Sequence, residues 1–386
     1  MLIMVPVTVL FAEVLLAVTL PCSKTAELVD CGQRRRLAIL IPAHNEASLI
    51  ANTLRSILPQ LSKSDRLIVI ADNCTDDTVG VATSGGAEVV VRTDLTRRGK
   101  GYALDFGVRH LEHNSPDIVI IIDADCLIAP GAIDRLARLC DRSARPVQSL
   151  YLMHATTNAG VRMRIAEFAW VVKNRIRPGG LNRIGAPCHL MGSGMAFPWT
   201  SIRTATLATG HIVEDLKLGI DLALAGTPPL YCPDALVTSE FPHSKDGIQG
   251  QRTRWEHGHL SVIVNEAPRL FWQSVTQFNP CLFALALDLS VPPLALLTLL
   301  VGAVWIVSAI YYLITKMQFP IAVATITVSL LGIAILLSWA KHGRHIISLG
   351  NLALAGIYAV VKVPLYAKFI LAKQTKWVRS KRDVDK

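Results

Sequence analysis

The sequence predicts an α/β fold: a mostly parallel sheet domain flanked by apolar helices able to cross a membrane. Three observations carry that prediction. From about residue 36, short β-branched runs alternate with helical patterns over short connections, the signature of a doubly wound sheet. One of those runs, Ile118 to Ile122, is apolar throughout and ends in two carboxylates, Asp123 and Asp125, as the end of a buried parallel strand would. The 386 residues are 51% hydrophobic, with mean hydropathy +0.40, and the apolar excess sits at the two ends of the chain. That is too apolar for a wholly soluble chain of this length, so a soluble domain held by membrane segments is expected.

In chain order, residues 1–21 form an apolar run broken only by Glu13 and followed by Lys24 and Arg34-Arg35-Arg36. No basic residue precedes it, which argues against a cleaved signal peptide. The positive-inside bias places the amino terminus outside and the chain after residue 22 in the cytoplasm. Leu37–Pro42 reads as a first buried strand, with Asn45 as N-cap of a helix reaching about Leu58. Arg66–Ala71 is a second strand, a helix spans about 75–84, and Glu88–Val91 is a third strand. Tyr102–Leu111 and Pro130–Arg142 read as helices. The stretch 159–177 carries Arg162, Arg164, Lys173, Arg175 and Arg177 among apolar positions; it is expected to pack on the sheet, with a membrane surface as the alternative. A glycine-rich turn over Met191–Phe197 enters a strand, Leu216–Ala225 is helical, Ala235–Glu240 is a strand and Gln251–Trp255 opens a helix. The domain is bounded at about 36–260. Beyond it the region 281–371 holds spans at about 291–314 and 319–340 and a third segment at about 345–371 that Lys362, Pro364 and Lys368 interrupt. Residues 372–386 form a basic tail expected in the cytoplasm.

The formal net charge of +10 fits an anionic leaflet or phosphorylated substrates. The basic residues flank apolar segments rather than interleaving with aromatics, so nucleic acid is not the expected partner. The eight cysteines, at 22, 31, 74, 126, 140, 188, 232 and 281, form no C-x-x-C pair, which suggests neither a zinc site nor a disulfide framework. No G-x-G-x-x-G follows the first strand, which sets aside a dinucleotide-binding oxidoreductase.

Asp123 and Asp125, spaced i, i+2 on extended backbone, point to one side at the carboxyl end of a buried strand, where open α/β sheets bind ligands. They suit a hard divalent cation that also takes substrate phosphates; taken alone, such a pair is also common turn chemistry. The chain-ordered motifs are Pro42-x-x-Asn45-Glu46, Asp72-Asn73, Gly99-Lys100-Gly101, Asp123-x-Asp125, Gly192-Ser193-Gly194, Glu214-Asp215 and Gln251-x-x-Arg254-Trp255. In this order and spacing, between membrane segments, they resemble the membrane-bound inverting glycosyltransferases of family 2. That group includes cellulose, chitin and hyaluronan synthases and bacterial exopolysaccharide transferases.

The resemblance covers about residues 36–260 and implies a GT-A-type domain, a UDP-sugar donor and a Mg²⁺ or Mn²⁺ ion. It gives Asp125 the metal, with Asp123 shared between metal and ribose. It gives Asp72 the uracil, Glu46 the nucleoside, and Lys100 the base or the phosphates. Asp215 is then the general base that takes the acceptor's proton, with Glu214 beside it. Gln251, Arg254 and Trp255 would bind acceptor and diphosphate, Arg254 through its planar fork and Trp255 through a flat face for a sugar ring. Gly192 and Ser193 would line the acceptor end; their GSG departs from the Cys-Gly-Ser of cellulose synthases, which leaves the acceptor open. Blander readings stand beside these: helix-dipole complementation for Glu214-Asp215, a charged turn for Lys100, an interfacial Trp anchor for Trp255. His257 and His259 read as surface or acceptor-side residues.

The expected activity is therefore sugar transfer to a lipid-linked or saccharide acceptor at the cytoplasmic face of the inner, or plasma, membrane, in exopolysaccharide or glycolipid biosynthesis. A processive β-polysaccharide synthase is the alternative. A non-catalytic subunit of polysaccharide export machinery is a weaker one, because no metal or base carboxylate is missing.

Overall fold

The computed structural model describes residues 2–21, 34–156, 158–242 and 245–371. Lys24, Cys22, Cys31 and the basic tail 372–386 lie outside them. The described chain falls into two compact units: a sheet unit from 34–154 and 187–258, and a helical unit from 2–21, 155–186 and 259–371.

The sheet unit holds eight strands: β1 Leu37–Ala43, β2 Arg66–Asp72, β3 Glu88–Arg92, β4 Ile118–Ile121, β5 Leu127–Ile128, β6 Val147–His154, β7 Met195–Pro198 and β8 Leu230–Glu240. Their order is β3-β2-β1-β4-β7-β6-β8-β5. The β3-β2-β1-β4 half is parallel, with Leu40 opposite Ile121 and Ile41 opposite Val69. The chain steps outward from β1 through β2 to β3, then returns to β4 on the other side of β1. Connections leave in opposite directions at β1 and β4, so a crevice opens at the carboxyl ends of those two strands. β7 then pairs antiparallel with β4, so the Ile118 strand is parallel on one edge and antiparallel on the other.

β1, β2 and β4 are buried on both faces, as their unbroken apolar runs predict. Ala38, Leu40, Ile68, Ile70, Val119 and Ile121 face one core, against Leu104, Val108 and Leu111 of the helix Lys100–Leu111. The helices Ile50–Ile57 and Ala132–Ser143 are amphipathic and bury Leu54, Ile57, Ile133 and Leu136. β6 is not among the strands that the sequence predicts. Its Gln148 and Ser149 are wholly buried, and its apolar residues do not alternate, because both faces are covered.

In the helical unit, the N-terminal helix Met4–Thr19 buries Val7, Leu10, Val14 and Ala17 along one stripe. At 16 residues it is about 24 Å long, short of a ~30 Å hydrocarbon core. It packs on the helices Arg177–Arg183 and Gln318–Ser338. The stretch expected to pack on the sheet, 159–177, instead belongs to this unit as the helix Val161–Val171, a π turn over Val172–Ile176, and the start of Arg177–Arg183. The physical reason lies at Arg177, which is buried and ion-paired to Glu13 (Nε to Oε2, 2.7 Å) and to Asp288, both in the same unit. Asp288 sits in the helix Pro280–Ser290, capped by Asn279, whose side chain accepts from the amides of Cys281 and Leu282. Among the described residues, three segments are long and apolar enough to cross a membrane: Leu294–Thr315, Gln318–Gly343 and Leu349–Phe369. The third is divided into Leu349–Ala353, Ala355–Val361 and Val363–Leu371, and its last break falls at Lys362.

Candidate active site

The loops after β1 and β2 form one edge of the crevice. Asn45 is not a helix cap: it lies in the left-handed region (φ 56°), and the first full helical turn begins only at Ile50. Its side-chain oxygen accepts from the amides of Thr75 (2.7 Å) and Asp76 (3.3 Å), which ties the two loops together. Beside it the Glu46 amide donates to Thr78 Oγ1 at 2.9 Å. Asp72 ends β2 and faces its cross-strand neighbour Arg92 at the end of β3, with Arg92 Nη1 donating to Asp72 Oδ1 at 2.6 Å. The Asn73 amide side chain donates to the same oxygen at 2.9 Å, so both bonds fall on Oδ1. Arg92 also reaches Asp94 and the Arg97 carbonyl, holding the loop that leads to Lys100. Sequence reasoning missed Arg92; an arginine in register with Asp72 at a strand's carboxyl end was the available signal.

Asp123 and Asp125 follow β4 at the centre of the crevice. Carboxylate oxygens of both, and Cys126 Sγ, lie within 4.8 Å of one another, and they form the one such metal-competent group among the described residues. Burial, then the two carboxylates, push the Cys126 thiol far above its usual range, so it stays protonated and poorly suited to ligation. What remains is a pair of hard oxygen donors with open positions, which fits Mg²⁺ or Mn²⁺. Lys100 stands against them. Its Nζ is 2.5 Å from Asp123 Oδ1, 2.6 Å from the Gly192 carbonyl and 3.9 Å from Glu214 Oε1. Burial alone would favour the neutral amine, but the Asp123 and Glu214 carboxylates outweigh it and hold the ammonium form. Lys100 is thus the site's internal cation, not a solvated turn residue.

The Gly192-Ser193-Gly194 loop closes the far side. Ser193 is fully buried, and its hydroxyl accepts from the Asp123 amide at 3.1 Å. Wholly buried, it positions the Asp123 backbone in this structure rather than opening onto the crevice. Gln148 of β6 clamps the loop, with Oε1 accepting from the Met191 amide (2.8 Å) and Nε2 donating to the Ser193 carbonyl (2.9 Å). Gly192 keeps its place beside the acids: at φ 98°, a Cβ there would lie 3.2 Å from Asp215 Oδ2. Glu214 and Asp215 form the first turn of the helix Glu214–Leu224, over an apolar floor of Leu104, Met195, Leu207 and Leu218. Burial on that floor, with the Asp215 charge, pushes Glu214 up to about 7 against the pull of Lys100 and Arg254.

Gly194 sets a sharp test of this loop. At φ 65°, an added Cβ would fall 2.0 Å from Ser149 Oγ and 2.7 Å from Val237 Cγ2. Left-handed strain and overpacking together predict about 2–4 kcal/mol of destabilisation for Gly194→Ala, measured by denaturant unfolding. Gly226 also has positive φ (91°) but no atom within 4 Å of a Cβ. Gly226→Ala should cost only the ~1 kcal/mol of strain; equal losses in the two variants would refute the steric account.

Gln251, Arg254 and Trp255 lie on the helix Lys245–Thr276, Gln251 buried and the other two partly exposed. Gly258, one turn on, lies against Val213, where a Cβ would meet Cγ1 at 2.6 Å. That contact brings the helix beside the residue preceding Glu214. His257 is wholly buried, so it is a packed helix residue and not the surface residue expected.

Residues 34–258 match the family described as "Glycosyltransferase like family 2". The chain belongs to this family. Over 107 residues it is 38% identical to glucosyl-3-phosphoglycerate synthase of Mycobacterium tuberculosis, a match covering 26% of this chain and 32% of that protein. Over 251 residues it is 24% identical to "Probable glycosyltransferase YdaM" of Bacillus subtilis, covering 61% of this chain and 58% of that one. The chain therefore spans less than two thirds of the length of either relative. Among solved structures, the mannosyltransferase PcManGT of Pyrobaculum calidifontis, in complex with GDP-Man and Mn²⁺, aligns with TM-score 0.55 at 16% identity. That alignment covers 97% of this chain and 100% of that one, and it establishes the fold as the GT-A type that the motifs implied. In this family 2 domain the structure brings Lys100, Asp123, Asp125, Gly192, Glu214 and Asp215 into one cluster, with the Arg254 charge acting on Glu214. Asp72 and Glu46 lie on the β1–β2 edge of the same crevice.

Proposed function

We propose that this chain is an inverting glycosyltransferase that moves a sugar from a UDP-sugar to a lipid-linked or saccharide acceptor at the cytoplasmic face of a membrane. Exopolysaccharide or glycolipid assembly is the process such an enzyme serves. The observation that carries the reading is the single constellation in which Lys100 is paired with Asp123, Asp125 lies beside Asp123, and Asp215 lies across the Gly192 backbone from Lys100. Such a site holds a charged leaving group on one side and a base on the other.

Asp125 and Asp123 would hold Mg²⁺ or Mn²⁺, which supplies Lewis-acid neutralisation of the diphosphate. Lys100 adds a fixed positive charge beside it, and Arg254 a planar donor fork. Asp72 offers its less engaged oxygen to a base N–H. Asp215 takes the proton of the acceptor hydroxyl as that oxygen attacks the anomeric carbon opposite the departing diphosphate. One displacement inverts the configuration, and no covalent enzyme nucleophile is required. Trp255 presents a ring face for the acceptor sugar. The three long apolar segments support the membrane location, with Ile306, Val307, Leu313 and Ile314 turned outward.

The test is nucleoside diphosphate release by the full chain in detergent, over a panel of UDP-sugars with Mg²⁺ or Mn²⁺ and lipid-linked and saccharide acceptors. Because the Pyrobaculum calidifontis mannosyltransferase structure is a complex with GDP-Man, GDP-sugars form a second arm. Release with one UDP-sugar that EDTA abolishes and added Mn²⁺ restores is the expected result. Release confined to GDP-sugars would overturn the donor, and release indifferent to EDTA would overturn the metal's role. The size of a radiolabelled product separates single transfer from the processive synthase that the Gln251-x-x-Arg254-Trp255 motif also suits.

A further inference from the structure

One surface of the helical unit gathers Arg175, Arg183, Lys341 and Arg344, which no carboxylate meets among the described residues. The helix Val161–Val171 packs on the π turn Trp339–Gly343 that ends the second long apolar helix. Gly343 lies so close to Phe168 that a Cβ would come within 2.7 Å of its ring. The Trp339 indole donates to the Ile347 carbonyl at 2.8 Å, and Arg164 reaches the Ile346 carbonyl at 3.4 Å. This packing gathers Arg175 and Arg183 from one segment with Lys341 and His345 from the other, all within Coulombic reach of His342. Arg344 lies over the Trp339 ring at 5.5 Å.

Among the described residues, no carboxylate pairs with Arg175, Arg183, Lys341 or Arg344; Arg183 spends its donors on the carbonyls of Leu20 and Gly179. Arg177, two positions from Arg175, is the contrast, since it is buried and met by Glu13 and Asp288. The segment thus neutralises the inward charge of Arg177, while Arg175 adds to the charge of Arg183, Lys341 and Arg344. Lys341, Arg344 and His345 are exposed, and Arg175, Arg183 and His342 are partly so. Uncompensated cations in a cluster raise its potential until an anion is supplied. Trp339 lies in the patch under Arg344, and Trp170, with Lys173 5.3 Å from its ring, lies on the helix Val161–Val171 that packs against it. Tryptophans and cations together at the end of an apolar helix mark headgroup depth.

We propose that this patch (Arg175, Arg183, Lys341, Arg344 and the flanking histidines) binds anionic phospholipid headgroups of the leaflet at which Gln318–Gly343 ends. The proposal rests on the membrane location inferred under the proposed function. It fixes the carboxyl end of that helix on the anionic side, and by the tight turn at Lys316 it places the start of Leu294–Thr315 on the same side.

The full chain in a neutral detergent is titrated with short-chain phosphatidylglycerol and with phosphatidylcholine. Each basic residue at an anionic surface is worth about fivefold in affinity. The triple variant R175Q/R183Q/K341Q should therefore lose about a hundredfold for phosphatidylglycerol and little for phosphatidylcholine. The exposed pair K341Q/R344Q, expected to lose about 25-fold, serves if the triple change disturbs packing. Equal wild-type affinity for the two lipids, or phosphatidylglycerol binding unchanged in both variants, would overturn the proposal. Competition by millimolar inorganic phosphate or pyrophosphate would assign the patch to a soluble phosphate and so overturn the lipid. Flotation of wild-type chain with neutral vesicles tests the membrane location separately: flotation with lost lipid preference sinks the patch alone, whereas failure to float sinks both.

Discussion

Asp215→Asn is expected to lower turnover by about 10²–10⁴-fold while leaving nucleoside diphosphate and metal binding unchanged. The asparagine has the shape of the aspartate, so it keeps the contact across Gly192, where only 3.2 Å would separate an added Cβ from Oδ2. It cannot take a proton. The loss should therefore fall on kcat, because the acceptor hydroxyl gains nothing in the ground state from a base that acts only as its oxygen attacks. Asp125→Asn should behave differently, weakening Mn²⁺ binding measured by calorimetry together with turnover. If Asp215→Asn retains turnover within a few-fold of the parent, or loses metal binding as Asp125→Asn does, then Asp215 is not the base. Glu214, already drawn up to about 7 by burial, would be the next residue to test.

The same residues show how far the sequence carries. The Ile118–Ile122 run and the acids after it were legible because a parallel strand buried on both faces needs no alternation, and its carboxyl end is a fixed address for ligands. Lys100 was legible as a candidate but not as the pivot. Its partners Asp123, Gly192 and Glu214 lie 23, 92 and 114 positions away, and nothing local encodes those distances. β6 was invisible for a related reason. Gln148 and Ser149 look wrong in a buried strand until the loop they hold, 43–45 positions on, is in place. Ser193 illustrates the opposite case, in which a motif position read for the ligand also accepts from the Asp123 amide and so holds the metal-side backbone. The amphipathic period of 159–177 names a buried face without naming what covers it. The partner is written elsewhere, in Glu13, which looks like a flaw in an apolar run.

That flaw supports the second large effect. Arg177→Met is expected to destabilise the helical unit by about 3–5 kcal/mol, because it removes the cation of a buried ion cluster and leaves two buried carboxyl groups without their partner. Arg177 is the cation that meets both carboxylates there: its Nε donates to Glu13 Oε2 at 2.7 Å, and its Nη2 to the Asp288 carbonyl at 2.6 Å and to the Asp288 carboxylate. Glu13 is 2% exposed and Asp288 9%, so neither can turn to water without opening the packing. In detergent the thermal midpoint of the full chain should fall by roughly 10 °C. The apolar and neutral replacement of all three, E13Q/R177M/D288N, should recover most of that loss, since buried ion clusters contribute little beyond what well-packed neutral groups supply. A midpoint unmoved by Arg177→Met would mean that the cluster is solvated and that Glu13 is not held in the helical unit by charge. A triple variant no better than the single one would mean instead that Arg177 acts through its packed stem.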